Sequence, residues 1–193
     1  MTKIDKQFDT YYEALIEESD RGCVLVGASM LEHLSEELIQ KKFFNTKGSR
    51  KKAAHSLFVR NGPFSSFWSN LNFIYAIGFI RKDYYSDLNI IREIRNEVAH
   101  NFDVVSFGDK KIANKTERLK LYVKASNIMA RYVPDNNNAK TKNTKNLRTT
   151  DKAETERFRF IMSVSYLGGI LDTLIKELVV LAPGMIEMQN KEN

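Results

Sequence analysis

The residues of this chain best suited to chemistry are an arginine, an asparagine and a histidine near its middle, Arg95, Asn96 and His100. An imidazole can take up or release a proton near neutral pH, and a guanidinium carries a permanent charge that can stabilise an anion. Five residues at about 100° each place Arg95 and His100 roughly 140° apart on a continuous helix. The two residues therefore share a site only if the helix bends or ends between them.

The spacing Arg-x4-His, with Asn directly after the Arg, resembles the ribonuclease motif of HEPN domains, helical bundles in which the pair meets RNA at a dimer interface. The resemblance implies a metal-independent ribonuclease. In it, His100 would handle the proton of the attacking ribose hydroxyl and Arg95 would stabilise the phosphorane. The alternative is a buried structural Arg95 and a helix-terminal His100. We expect the structural role, because of the angular separation and because short motifs often match by chance.

A predicted amphipathic helix over residues 84–100 carries these residues. Its aliphatic side chains fall within one arc at helical spacing, and Arg95 falls inside that arc. A buried guanidinium cannot lose its charge, so it needs carboxylates or carbonyls as partners. The aliphatic residues of the arc are Leu88, Ile91, Ile94 and Val98.

The acidic residues before the second helix could supply those partners. We predict a structural polar cluster in which Arg95 pairs with Glu17, Glu18 or Asp20, and Arg21 pairs with Asp87. An alternative is local, because Ser19 or Asp20 could cap the N-terminus of that helix, a contribution of about 1 kcal/mol.

Composition indicates a globular protein with one core. The 193 residues are 42% hydrophobic and 28% charged, which is ordinary for a folded domain. The single Cys23 excludes a disulfide framework, and the first fifteen residues contain no apolar block typical of a signal peptide. Charged residues interrupt the most apolar stretch, residues 160–182, so we expect no membrane span. These features predict a cytoplasmic protein.

Positive charge is concentrated between residues 109 and 150. This stretch contains eleven Lys or Arg against three acidic residues, whereas the rest of the chain is slightly acidic. Such a segment could attract RNA or an acidic protein, but a solvated linker is commoner for a run rich in Lys and Asn. We predict a flexible basic loop at about 134–150 and a frayed tail at about 184–193.

Periodicity near 3.6 recurs along the chain without sustained alternation, so we predict an all-α fold, a single-domain helical bundle of about six or seven helices over residues 1–193. An aromatic face beginning at Phe64 and including Trp68 is predicted to be core, with Pro63 at the first helical position. Gly168 should allow a close helix approach. The predicted helical segments are residues 4–18, 20–40, 53–59, 63–78, 84–100, 111–132 and 151–181.

Several motifs in one order resemble the mannitol operon repressor (MltR-like) family of all-helical bacterial proteins. The resemblance implies a helical fold and a role in transcriptional regulation. The loop at 134–150 is longer and richer in Lys and Asn than the family pattern. The motifs are EESDRGCVLVGASMLE at 17–32, NGPFSSFWSNLNFIYAIGFI at 61–80, DLNIIREIRNEVAH at 87–100 and the SFGDKKI that follows.

The sequence favours a non-catalytic regulator that acts through a protein partner, because no helix-turn-helix suited to base edges is present. It contains no Gly-rich phosphate loop, no HExxH and no CxxC, and its three histidines lack metal-ligand spacing, so we expect no cofactor and no metal. Two alternatives stay open: the HEPN-like ribonuclease, and an immunity or antitoxin protein that neutralises a toxin. A homodimer is compatible with the sequence.

Overall fold

The computed structural model describes residues 3–43, 50–59, 61–101, 103–132 and 151–177, and these residues form eight α-helices and no β-strand. The predicted all-α fold is confirmed, with one helix more than expected. The helices are α1 (Lys3–Ile16), α2 (Asp20–Phe43), α3 (Arg50–Ser56), α4 (Phe67–Ala76), α5 (Lys82–His100), α6 (Lys110–Thr116), α7 (Tyr122–Tyr132) and α8 (Lys152–Glu177).

Three helices, α2, α5 and α8, lie at the centre of the bundle. α2 packs against α1, α4, α5 and α8, α5 packs against α2, α4, α6 and α8, and α8 packs against α1, α2, α5, α6 and α7. One continuous cluster of buried apolar side chains extends from Leu15 to Ile175 and joins these helices. The predicted arc of α5 forms part of it, since Leu88, Ile91, Ile94 and Val98 are each fully buried. Burial of such a side chain stabilises the fold by about 1.5–3 kcal/mol.

The predicted helix over residues 111–132 is two helices, α6 and α7. The break lies at residues 117–121, and the buried carboxylate of Asp87 on α5 stabilises it. Asp87 Oδ2 accepts hydrogen bonds from the backbone N–H groups of Lys120 and Leu121, at 2.9 and 2.8 Å. The sequence around the break contains neither Gly nor Pro, so contacts with residues distant in sequence explain it.

The aromatic helix begins later than predicted, at Phe67 and not at Pro63. Ser66 is the N-cap, and its hydroxyl accepts from the backbone N–H of Ser69 at 3.2 Å. Residues 62–65 form turns, in which the N–H of Phe64 donates to the carbonyl of Leu57. Trp68 is a second correction, because its side chain is 55% exposed and does not belong to the core.

α8 packs closely against α1 because Gly168 has no side chain. A Cβ at this position would lie 2.8 Å from the ring of Tyr11, so the predicted close approach is confirmed. By length and composition, α8 is the one helix among the described residues that could cross a membrane, and 61% of its apolar window is buried inside the bundle.

The single cysteine, Cys23, lies on the core side of α2 and is fully buried. Burial raises the pKa of its thiol to about 12. The thiol is therefore protonated at neutral pH. The loop and tail predicted at 134–150 and 184–193 lie outside the described residues.

Candidate functional site

The C-terminal half of α5 and the short helix α6 border an open groove with a volume of about 720 Å³, here called the α5–α6 groove. α5 ends at His100, and Asn101 adopts an extended backbone conformation that turns the chain away. The groove is lined by polar side chains of both helices and the connecting loop: Glu93, Asn96, Glu97, His100, Asn101, Asp103, Lys111 and Lys115.

Glu97 forms ion pairs with both lysines that line the α5–α6 groove. Its two carboxylate oxygens pair with Lys111 Nζ at 3.1 Å and with Lys115 Nζ at 3.5 Å. Hydrogen bonding from Lys111, together with the charges of both lysines, lowers the pKa of Glu97. The carboxylate therefore stays ionised, and it neutralises one of the two positive charges that α6 brings to the groove.

The structure brings two of the three catalytic candidates into the groove. Asn96 and His100 lie one helical turn apart on α5, and both line it. Arg95 is partly buried and does not line the groove, but its Nη1 donates to Asn96 Oδ1 at 3.2 Å. Arg95 is thus joined to the groove through Asn96, and α5 is continuous from Arg95 to His100.

The predicted ion pair of Arg95 with Glu17, Glu18 or Asp20 is corrected by the structure. Asp20 Oδ1 accepts from Arg157 Nη1 of α8 at 2.7 Å. Within the described part of the chain, Arg95 forms no ion pair at all. Because Arg95 is only partly buried, water can solvate its guanidinium, and no carboxylate is required.

Two further members of the predicted polar cluster bind backbone groups. Arg21 Nη1 donates to the carbonyl of Asn101 at 2.6 Å. Asp87 accepts hydrogen bonds from the backbone N–H groups of Lys120 and Leu121, which lie between α6 and α7. Burial raises the pKa of Asp87, although those two hydrogen bonds act in the opposite direction. The predicted pairing of Arg21 with Asp87 is therefore wrong. The bond from Arg21 instead fixes the end of α5, where the α5–α6 groove begins.

Arg157 is the residue that the sequence pattern did not single out. Its guanidinium binds Asp20, the carbonyl of Ile16 at the C-terminus of α1, and the carbonyl of Glu18 in the turn that follows. Asp20 Oδ2 in turn accepts the backbone N–H of Phe107 at 3.0 Å. The only sequence signal for this contact is an arginine at the edge of the apolar stripe of α8, three residues before Phe160.

Among the described residues, no group of three or more His, Cys, Asp or Glu side chains is arranged so that it could hold a metal ion. The α5–α6 groove instead combines carboxylates, ammonium groups, amides and one imidazole at an open surface. Such a surface can exchange ion pairs with another macromolecule, and its imidazole could transfer a proton.

The fold and the groove define an all-α bundle with a polar, solvent-open surface at the end of its central helix. A family model described as mannitol repressor matches residues 7–166. The chain belongs to the mannitol repressor family, as the sequence motifs implied.

A chain in the solved structure of the MtlR–HPr complex from Escherichia coli has the same fold. The TM-score is 0.61 at 16% sequence identity, and the match covers 86% of this chain and 98% of that chain. No curated protein sequence matches the chain.

Proposed function

We propose that this protein is a non-catalytic regulator that acts by binding a protein partner, and that the partner is HPr. The observation that carries the proposal is the match of the fold to almost the whole of a chain from the MtlR–HPr complex. Membership of the mannitol repressor family supports regulation of transcription as the setting. A repressor works where the DNA is, so a cytoplasmic location is part of the proposal.

The character of the α5–α6 groove supports a protein partner over a small molecule. Small-molecule sites are concave and mostly apolar, whereas this groove is open and lined by charged and amide groups. Its ion pairs between Glu97 and the lysines of α6 lie at the surface, and such pairs contribute little to stability. They can therefore be exchanged for pairs with a partner at little cost.

Calorimetric titration of the purified chain with HPr from the same cell tests the proposal. We expect saturable binding with a defined stoichiometry. An unrelated protein of similar size and charge is the control. Absence of binding at about 100 µM of each protein would contradict the proposal, since that limit corresponds to a free energy weaker than about −5.5 kcal/mol.

One observation favours a second candidate, a metal-independent ribonuclease. Asn96 and His100 line one groove, and Arg95 donates a hydrogen bond to Asn96. In that function His100 would act as the acid or base, and its replacement typically lowers the rate about 10²–10⁴-fold.

Incubation of cellular RNA with the purified chain in EDTA separates the two candidates. The regulator is expected to leave RNA intact. Cleavage that is lost in His100→Ala, retained in the control His33→Ala and accompanied by an unchanged melting temperature would establish the ribonuclease. His33 suits the control because it is exposed and lies on α2, away from the α5–α6 groove.

A further inference from the structure

The outer side of α2 carries an apolar groove with a volume of about 460 Å³. Ser29 and His33 are exposed along it, and its other side chains are half-buried. Residues 22–31 contain no charged side chain, so over this stretch α2 has no charged face. A surface helix normally has a charged or polar outer face, and a helix without one is normally enclosed. The groove is lined by Leu25, Val26, Ser29, Met30 and His33.

Together with Gly22, the groove residues follow one another at helical spacing and form a single seam along α2. The order of the seam is symmetric about a midpoint between Val26 and Ser29, because each member before the midpoint has a counterpart at the same distance after it. A second copy of α2 that runs antiparallel, related by a two-fold axis at this midpoint, therefore meets the seam in the same register. The members of this α2 seam are Gly22, Leu25, Val26, Ser29, Met30 and His33.

The side chains that would meet in this arrangement are complementary in size. Gly22 faces His33 of the second copy, and Ser29 faces Val26 of the second copy, so a small residue lies opposite a larger one in both pairs. The third pair joins a leucine to a methionine, whose flexible side chain adapts to the space available. Small residues opposite larger ones allow two helices to approach closely.

The ends of the α2 seam are complementary in charge. The carboxylate of Glu18 lies directly against Gly22, where a Cβ would collide with it. In the described part of the chain, Glu18 is exposed and forms no ion pair. At the other end, His33 Nε2 lies 4.0 Å from Glu37 Oε2. An imidazole N–H can donate to a carboxylate, so antiparallel pairing gives Glu18 a donor in His33 of the second copy, and the two-fold axis makes this contact twice.

We propose that the α2 seam is the interface between two copies of this chain, with their α2 helices antiparallel and the two-fold axis between Val26 and Ser29. Charge favours this direction, because a parallel pair would place Glu18 beside Glu18. The inference goes beyond the proposed function and does not rest on it. The α2 seam shares no residue with the α5–α6 groove, so the two surfaces can be tested separately.

Sedimentation velocity of the wild-type chain tests the interface directly. We expect a species of twice the chain mass of 22.3 kDa when the protein is at about 100 µM. An interface with a dissociation constant of about 10 µM or tighter would be mostly dimeric at that concentration. A chain that stays monomeric there would overturn the inference.

A charge placed at the centre of the α2 seam should break the dimer. Ser29→Arg is expected to raise its dissociation constant about a hundredfold or more, because the two-fold axis brings two guanidinium groups together. Asn127→Arg adds the same charge at an exposed position of α7 and should leave the dimer intact. Both variants should keep the wild-type melting temperature, since both positions are exposed. A Ser29→Arg variant that is as dimeric as Asn127→Arg would show that the interface lies elsewhere.

A charge exchange tests the antiparallel register. Glu18→Lys and His33→Glu should each weaken the dimer about three- to tenfold, since each change acts at two symmetric contacts. The double variant Glu18→Lys/His33→Glu restores opposite charges and should return the dissociation constant to within about threefold of the wild type. Additive weakening in the double variant would contradict the register.

Calorimetry with HPr separates this interface from the contact with the protein partner. If Ser29→Arg is monomeric and binds HPr as the wild type does, the α2 seam serves the second copy alone. If the wild type is monomeric and Ser29→Arg abolishes binding of HPr, the α2 seam binds the protein partner, and the second copy is the wrong occupant.

Discussion

Arg157 connects three separate parts of the bundle through one guanidinium. It neutralises the carboxylate of Asp20 at the start of α2, and it binds the carbonyl of Ile16, which ends α1 and has no partner within that helix, and the carbonyl of Glu18 in the following turn. Its planar fork of five donors makes this possible, and a lysine could not reproduce it. A positive group at the C-terminus of α1 and a negative one at the N-terminus of α2 also complement both helix dipoles.

We predict that Arg157→Ala lowers the free energy of unfolding by about 1.5–3 kcal/mol, the typical loss when a hydrogen bond to a charged group is removed. For a chain of this length, the melting temperature should fall by between about 3 and 12 °C. Differential scanning calorimetry measures both. Arg95→Ala is the matched control, with an expected loss under about 1 kcal/mol, because it removes one bond to a neutral amide. Equal losses for the two variants would contradict the assignment of Arg157.

Asp83 makes the stability depend on pH in the acid range. Partial burial raises the pKa of this carboxyl, but hydrogen bonds from Lys124 and Arg81 outweigh burial and lower it to about 2, from an ordinary value of 3.8. The ionised form is therefore favoured in the folded protein. Its contribution to stability is complete above about pH 4 and is lost as the pH falls toward 2.

Urea unfolding of Asp83→Asn at several pH values tests this dependence. We expect the variant to be less stable than the wild type at pH 6, and the difference to shrink between pH 4 and pH 2. Asp103→Asn, in an exposed loop, provides the control. A difference that is the same at pH 6 and pH 2.5 would show that charge does not cause it.

Among the helices, the separation of α6 from α7 depends on a residue that lies more than thirty positions away in sequence. Asp87 lies on α5 and is buried, with one carboxylate oxygen bound to two backbone N–H groups and the other without a hydrogen-bond partner among the described residues. Its negative charge lies at the N-terminus of α7, where the helix dipole favours it. Local propensity predicts one helix over 111–132, because no breaker interrupts it, and so sequence periodicity could not reveal the break.

We predict that Asp87→Ala destabilises the protein by about 1–3 kcal/mol, because it leaves two N–H groups unpaired, of which that of Leu121 is buried. Hydrogen exchange at residues 120–125 should accelerate more than exchange in α2. Asp87→Asn keeps an oxygen acceptor without a buried charge, so its loss of stability should be less than half that of Asp87→Ala. Unchanged exchange at the start of α7 in Asp87→Ala would refute the role of this carboxylate.

For the molecule as a whole, one apolar cluster joins α1, α2, α4, α5 and α8. A perturbation at its centre should therefore lower the stability of every helix together, and unfolding should be a single cooperative transition. Ile91 is suitable for this test because it is fully buried on the central helix α5.

We predict that Ile91→Ala costs about 2–5 kcal/mol and shifts the whole transition without splitting it. Far-ultraviolet circular dichroism and calorimetry should give coincident curves. The exposed control Val123→Ala should change stability by less than about 0.5 kcal/mol. Two separate transitions in Ile91→Ala would show that part of the bundle folds independently.

The sequence alone was sufficient for the elements that local periodicity determines. The arc of Leu88, Ile91, Ile94 and Val98, the extent of α5 and the close approach at Gly168 follow from spacing and residue size. The polar contacts did not follow, because they join distant segments. Nothing near Asp20 indicates that its partner is Arg157, 137 positions away, and nothing near Trp68 indicates that this one ring of an aromatic helix faces solvent.

The buried Cys23 has a practical consequence for labelling. Its thiol is inaccessible and stays protonated at neutral pH, so maleimide dyes and spin labels should not modify the folded native chain. A cysteine introduced at an exposed position, for example Ser29→Cys on α2, would then be the only reactive thiol. A fluorophore at that single site can therefore be combined with a second fluorophore on a partner for energy-transfer measurements. A spin label at the same site allows distances to be measured by electron paramagnetic resonance. Neither experiment requires the native cysteine to be replaced first.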